Sequence, residues 1–360
     1  GPLMPVFNSR TVIELARGMR AFLNLEAGFT RGAIPARASG VEEQQASHAG
    51  ELARARMRLE EKDREIAGLK RRLRAPAPSA GGVNPENVVW IFCSNRSGST
   101  WLSSMMDELE GHEVWNEPLV GKLFGDLYYV GAAGHQKVKH YILGDYHKGS
   151  WLDSIQSFVL SEATARFPEV AEDGYLIIKE PNGSIGAPLL SEAMPASRVV
   201  FLVRDPRDVA ASGLDAARKG SWQYENAADR GWKREALADN QPDVWVRRRA
   251  QNYVRHAGKA RDAYEAHKGP KVLIRYEELR DDTLGTMERL YSTLRIEVGE
   301  EDLARAVDKH AWENIPENEK GQGKFYRKAK PGGWREDLTP AQVEIVEQVS
   351  APLLKEFYPG

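Results

Sequence analysis

The 360-residue chain contains a single cysteine, Cys93, so it can form no disulfide within itself and must be held together by its core. That cysteine sits in an apolar run, where a buried and inert thiol is expected, and a chain without disulfides suits a reducing compartment. Long hydrophobic runs are missing as well. Nothing approaches the roughly 18 consecutive apolar residues of a membrane span, and no charged-then-apolar leader is present. The expectation is a cytoplasmic protein with no membrane span. Charge of one sign is also lacking, because 50 Lys and Arg face 52 Asp and Glu for a formal net charge of −2. No global basic field marks a nucleic-acid binder, so any anion site must be local. The 8 histidines show no metal-ligand spacing, and no metal is expected.

What is present changes character along the chain. Gly1-Pro2-Leu3 before Met4 reads as an expression remnant and is set aside. From Thr11, a Thr-x-x-Glu capping box with Glu14 opens a segment whose Val12, Leu15, Ala16, Met19, Phe22 and Leu23 share one helical face. Residues 4–40 therefore read as an amphipathic helix and a loop, with an apolar face suited to the main domain, a partner or a membrane surface. Over residues 41–74, Leu52, Ala55, Leu59, Lys62, Ile66, Leu69 and Leu73 fall at the a and d positions of a heptad. Across two parallel copies, Glu51 meets Arg56, Arg58 meets Asp63 and Glu65 meets Lys70, which predicts a coiled-coil homodimer. Lys62 at a d position and Gly68 inside the helix weigh against it, and a lone solvated helix is the competing expectation. Residues 75–85, opening on Ala75-Pro76-Ala77-Pro78, read as a linker.

Residues 86–360 remain for one large domain. Near-continuous apolar runs at Val88–Cys93, Tyr175–Ile178, Val199–Val203 and Val272–Ile274 alternate with helical patterns. Strands apolar on both faces belong to a covered parallel sheet, so the expected fold is α/β with a four- or five-stranded parallel sheet flanked by helices. The first run passes directly into Ser94-Asn95-Arg96-Ser97-Gly98-Ser99-Thr100-Trp101 and then into the helical pattern Leu102, Met105, Met106, Leu109. A strand, a small-residue turn and a helix N-terminus aim backbone N–H groups at one point, which suits a phosphate. Ser99 and Thr100 add hydroxyls, and Arg96 adds a fixed charge. ATP- and GTP-binding loops read G-x-x-x-x-G-K-S/T, but no lysine follows Gly98, which argues against an NTPase.

At these residues the sequence resembles the sulfotransferases that use 3′-phosphoadenosine 5′-phosphosulfate (PAPS), whose 5′-phosphosulfate loop reads K/R-S-G-S/T-T, often with tryptophan next. Arg96-Ser97-Gly98-Ser99-Thr100-Trp101 matches every position. Arg198 to Ser212 resembles the second motif of the family, a strand ending in arginine with a serine further on, and the resemblance implies that Arg204 and Ser212 bind the 3′-phosphate. Arg275-Tyr276-Glu277-Glu278-Leu279 resembles R-Y-E-D/E-L, and the run from Arg327 to Arg335 resembles R-K-G-x-x-G-x-W-K. Ala329 stands where the family has glycine, and Arg335 where it has lysine. The likeness spans roughly residues 86–358. It implies transfer of a sulfuryl group from PAPS, with release of PAP and without a metal, to an acceptor hydroxyl on a carbohydrate, lipid or small metabolite. The implied cofactor contacts are Arg96, Ser97, Gly98, Ser99, Thr100, Trp101, Arg204, Ser212, Tyr276, Arg327 and Lys328. Trp101 either offers its face to adenine or fills the core, and Tyr276 either touches the cofactor or packs a strand end.

In-line displacement at sulfur requires aligned reactants, stabilisation of the departing oxygen and removal of the acceptor's proton. Arg96 is the expected stabiliser. The small-molecule branch of the family carries a histidine base in a K-T-H segment after its third strand, but here that segment is Lys179-Glu180-Pro181. The carbohydrate branch shows Glu-Pro after its second strand, matched by Glu117-Pro118. Glu117 is the expected base, with Glu180 the alternative and His112 or His140 further candidates. Lys179 touches the sulfonate, anchors the loop or merely snorkels. Gly213–Asp243 and Gly321–Lys324 are expected to form a closing lid. Two glycosylation sequons, at Asn95 and Asn182, fall in this expected site, where a glycan would obstruct ligand, and so favour the cytoplasm. A nucleotide-dependent kinase of the same architecture and a catalytically weak nucleotide-binding scaffold are the competing readings.

Overall fold

The computed structural model describes residues 82–360 except 132–133, 171–173, 230–236, 325 and 360. The amphipathic helix, the coiled coil and most of the linker lie outside the described residues. Five strands, β1 (Val88–Cys93), β2 (His112–Asn116), β3 (Tyr175–Lys179), β4 (Arg198–Val203) and β5 (Lys271–Arg275), form one sheet in the order β2-β3-β1-β4-β5. Every neighbouring pair is parallel. Helix α1 (Ser99–Asp107) follows β1; α2 (Val120–Gly125) and α3 (Lys148–Arg166) follow β2; α4 (Ala187–Ala193) follows β3. Between β4 and β5 come α5 (Pro206–Ala217), α6 (Trp222–Asp229), α7 (Leu237–Asn240) and α8 (Pro242–Ala266). After β5 come α9 (Tyr276–Asp281), α10 (Thr283–Leu294), α11 (Glu300–Lys309), α12 (Trp334–Asp337) and α13 (Pro340–Phe357).

The two-residue period of a strand divides β1 between two cores. Val88, Trp90 and Phe92 pack with residues of α3, α4 and α8 on one face, while Val89, Ile91 and Cys93 pack with α1, α10 and α11 on the other. All six residues are buried, which is why the run contains no polar residue. Burial pushes the Cys93 thiol up to about 12, so it is inert. Strand β2 lies at the sheet edge and buries only His112 fully, so apolar continuity does not mark it. Val83 is also core, 3% exposed, and its N–H donates to Thr164 Oγ1 at 2.9 Å. The folded domain thus takes in the last residues of the stretch read as linker, because one apolar anchor among Gly81, Gly82 and Pro85 is invisible to composition.

The chain leaves β1 toward β2 and β3 and returns from β3 to β4 on the other side of β1. Strand order reverses there, and the crevice beyond the carboxyl ends of β1, β3 and β4 is where open α/β sheets hold ligands.

Candidate active site

The loop after β1 is shaped by two left-handed residues, Arg96 at φ 69° and Gly98 at φ 91°, and Gly98 is the N-cap of α1. Glycine is required there twice over. It accepts the positive φ, and a Cβ would stand 2.5 Å from a ring carbon of Tyr276. Tyr276, 5% exposed, carries the Arg204 guanidinium 4.1 Å above its ring and meets Trp101 edge-on at 6.3 Å. It is both a packed residue and part of the cavity wall. Trp101 is partly buried and also lines the cavity, with Nε1 donating to the His310 carbonyl at 2.8 Å.

The guanidinium groups of Arg96, Arg204 and Arg327 converge at this loop. Arg96 donates from Nε to Ser212 Oγ at 3.2 Å, and Arg204 donates to the Arg96 carbonyl at 3.1 Å. Arg327 is held at 2.6 Å by Asp337. The buried Nε of Arg204 and the buried Oγ of Ser97 have no partner among the described residues. Burial first, and then the charges of Arg204 and Arg327, pull the Arg96 guanidinium down to about 10. Such crowding is unfavourable without an anion, so the cluster fits a bound phosphate or phosphosulfate.

Arg327 and Lys328 are presented by a loop that Asp208 fastens to α5. The fully buried Asp208 carboxylate accepts the Gly332 N–H at 2.7 Å and the Trp334 N–H at 2.9 Å. Ala329, at φ 45°, adopts the left-handed conformation that glycine favours, which costs roughly 1–2 kcal/mol in an L-residue. The departure from the family's glycine thus leaves the turn formed and adds strain to it. The Trp334 ring carries two guanidinium groups, Arg335 at 4.4 Å and Arg207 at 4.3 Å. The Lys328 ammonium reaches Asp337 at 2.9 Å and Glu336 at 3.0 Å.

At the other end of the cavity, Glu117 follows β2 at φ 50°, and Leu119 lies at φ 61°. A left-handed residue before proline is strained, and such strain persists only where neighbours over-determine it. Here the Glu117 N–H donates to the Lys179 carbonyl at 2.9 Å. Its carboxylate receives the Lys179 ammonium at 3.2 Å and the Asn182 amide at 2.6 Å. Lys179, 1% exposed, also donates to Thr100 Oγ1 at 2.9 Å, joining the carboxylate to the phosphate loop. Asn95 donates to Asn182 at 3.0 Å.

The neighbouring carboxyl is placed differently. Glu180 is fully buried and accepts the Val120 N–H at 2.8 Å, capping α2 from a distant strand end. Burial pushes its carboxyl up to about 8, against the pull of that N–H. An unfolded glutamate titrates near about 4.3, so between these values the native state keeps a proton the unfolded chain has lost. Stability contributed by that proton falls as pH rises through the window. Glu180→Gln, neutral throughout, is expected to gain melting temperature relative to wild type as pH rises from about 5 to about 8. A difference between the two proteins that stays constant with pH would show the carboxyl charged throughout.

A cavity of about 940 Å³ joins the two ends. Of the residues singled out from sequence, Arg96, Gly98, Ser99, Thr100, Trp101, Glu117, Arg204, Ser212, Tyr276, Arg327 and Lys328 line it. Ser97, Lys179 and Glu180 stand behind its wall, and His112 and His140 do not reach it. Sequence reasoning missed Asp208 as the tether of the 327–335 loop, Asn182 as a partner of Glu117, and Arg249, which donates to the Asn95 carbonyl at 2.8 Å. The two segments expected to form a lid touch through Trp222 N–H to the Gly323 carbonyl at 2.9 Å and Gly323 N–H to Asp215 at 2.9 Å.

Among solved structures, the chain is similar to a mouse sulfotransferase complexed with PAP, with 13% identity, 76% of this chain and 89% of that chain covered, and a TM-score of 0.46. It is similar to sulfotransferase STF9 from Mycobacterium avium, with 16% identity, 83% and 81% covered, and a TM-score of 0.45. The sulfotransferase domain from the curacin biosynthetic pathway is 14% identical, with 73% and 97% covered and a TM-score of 0.40. No curated protein matches the chain. The family model for the sulfotransferase domain matches residues 86–358, which is the span of the sheet, the arginine cluster and the cavity, and the chain belongs to the sulfotransferase domain family.

Proposed function

We propose that this sulfotransferase takes its sulfuryl group from PAPS and delivers it to an acceptor hydroxyl, with Glu117 as the base. The observation that carries the reading is the convergence of Arg96, Arg204 and Arg327 around buried donors, at the carboxyl ends of a parallel sheet. A degenerate scaffold has no need to hold three cations against one another, which weighs against the non-catalytic reading. Arg204, Ser212 and Arg327 would hold the 3′-phosphate, and the loop Ser97–Thr100 with Arg96 the 5′-phosphosulfate. When bound, PAPS supplies an activated sulfuryl group and a phosphate leaving group. Arg96 meets the charge that grows on the departing oxygen. Lys179 orients Glu117 and Thr100 toward each other from behind the wall.

Glu117 uses two of the roughly four acceptor positions of a carboxylate on Lys179 and Asn182. With a side chain 33% exposed, it keeps capacity to accept a proton from the cavity. Asn95 and Asn182, the two sequon residues, are bonded to each other and line the cavity, which supports a cytoplasmic protein that meets no glycosylation machinery. Among the described residues no helix is long and apolar enough to cross a membrane. Homodimerisation through residues 41–74 remains part of the proposal on the strength of its heptads.

Calorimetry with PAP and 5′-AMP tests the cofactor. Each charge-assisted contact to the 3′-phosphate contributes about 1.5–3 kcal/mol, so PAP is expected to bind at least about tenfold more tightly. Arg204→Ala should erase most of that preference. Equal affinities in the wild-type protein would remove the assignment.

A further inference from the structure

Helix α8 carries Arg248, Asn252, Arg255 and Lys259 at i, i+4, i+7 and i+11, which places them on one face over about 16 Å. Asn252 and Arg255 line the cavity. Arg248 and Arg255 are exposed, and no carboxylate among the described residues engages either. Lys259 lies 4.4 Å from the ring of Tyr129, where α8 faces the turn after α2. The acidic groups nearby are already met: Asp126 by Lys122 at 2.9 Å, and Asp262 by Arg261 at 3.1 Å and Lys259 at 3.4 Å. His256 adds no charge, since burial and the charges of Arg255 and Arg249 pull it down to about 4. Arg248 and Arg255 are therefore uncompensated, Arg255 at the cavity wall, while Lys259 is already paired.

The cavity lining has a second character. Asn116, Gln223, Asn226 and Asn252 present four carboxamides to the cavity, with no hydrogen-bond partner among the described residues. Each offers two N–H donors and a carbonyl acceptor, the complement of a hydroxyl that both gives and takes a hydrogen bond. A flat apolar acceptor would bury those amides unpaired.

We propose that the acceptor is an acidic oligosaccharide lying along this face of α8, its anionic groups on Arg248 and Arg255 and its hydroxyls on the carboxamides that line the cavity together with Glu117. The assignment rests on the transfer reading above and gives it a substrate class. One anionic residue sits at Arg255 beside the cavity mouth, the chain continues to both sides, and the hydroxyl to be modified enters toward Glu117.

The test is calorimetry on the full chain saturated with PAP, using a hexamer of uronic acids, maltohexaose and hexaglutamate as probes. Saturating the protein first measures PAP affinity, which reports on the cofactor reading by itself. The uronate hexamer is expected to bind at least about tenfold more tightly than maltohexaose, and to weaken as salt is added. In the double variant Arg248→Glu/Arg255→Glu its affinity should fall about tenfold or more while PAP affinity stays unchanged. Equal binding of the uronate hexamer and maltohexaose, or an unaltered uronate affinity in the double variant, would overturn the proposal. Tighter binding of hexaglutamate would reassign the face to an acidic peptide, and a loss of PAP affinity in the double variant would place the two arginines in the cofactor site.

Discussion

Glu117→Gln is expected to lower kcat by about 10²–10⁴-fold while leaving PAP affinity within about twofold of wild type. The amide keeps the shape of the side chain and can still accept from Asn182, so the loop after β2 has reason to keep its form. What it cannot do is take a proton. A competing role is purely electrostatic, since Glu117 is the partner of the buried Lys179 ammonium at 3.2 Å, and removing one member of a buried pair strands the other. The two roles separate by comparison. Lys179→Met removes the ammonium and leaves the carboxylate, so as a positioning change it should cost turnover less than Glu117→Gln does. Should Glu117→Gln retain near-full activity while Lys179→Met abolishes it, the carboxylate is only a counterion and the base lies elsewhere.

The sheet was legible where burial forces composition. β1, β3, β4 and β5 announced themselves because strands covered on both faces have no room for polar residues, while β2 was hidden by its place at the edge. The phosphate loop was legible because its geometry tolerates few residues; Gly98 must accept both a positive φ and the Tyr276 ring. Contacts between distant segments left no such trace. Asp208 holds Gly332 and Trp334 across more than a hundred residues, and nothing in its own neighbourhood distinguishes it from a surface acid. Glu117 was preferred over Glu180 only through a family resemblance, both being carboxylates beside prolines, yet Glu180 turns inward to cap α2 and Glu117 outward to the cavity. That choice depends on which backbone donors each loop brings near, and a sequence pattern does not carry it.

Arg96→Ala should damage both binding and turnover, and it should do so without weakening the empty protein. In the proposed binding mode the guanidinium would meet the 5′-phosphate in the ground state, so its loss is expected to reduce PAP affinity by about 10–100-fold, the worth of one charge-assisted contact. In the same proposed mode it would meet more charge as the sulfur–oxygen bond lengthens, so kcat should fall by a further factor of about 10²–10³. The ligand-free protein should respond in the opposite sense. Burial and the charges of Arg204 and Arg327 already hold the Arg96 guanidinium low, so removing it relieves a repulsion. The lost bond to Ser212 at 3.2 Å and the lost contact with Trp222 at 5.5 Å offset part of that gain. Melting with and without PAP reads both effects at once: the variant alone should melt no lower than the wild type, and the rise on adding PAP should shrink. If the variant melts lower than wild type without PAP yet shows the full rise with it, Arg96 is a structural residue and the anion is held by Arg204 and Arg327 alone.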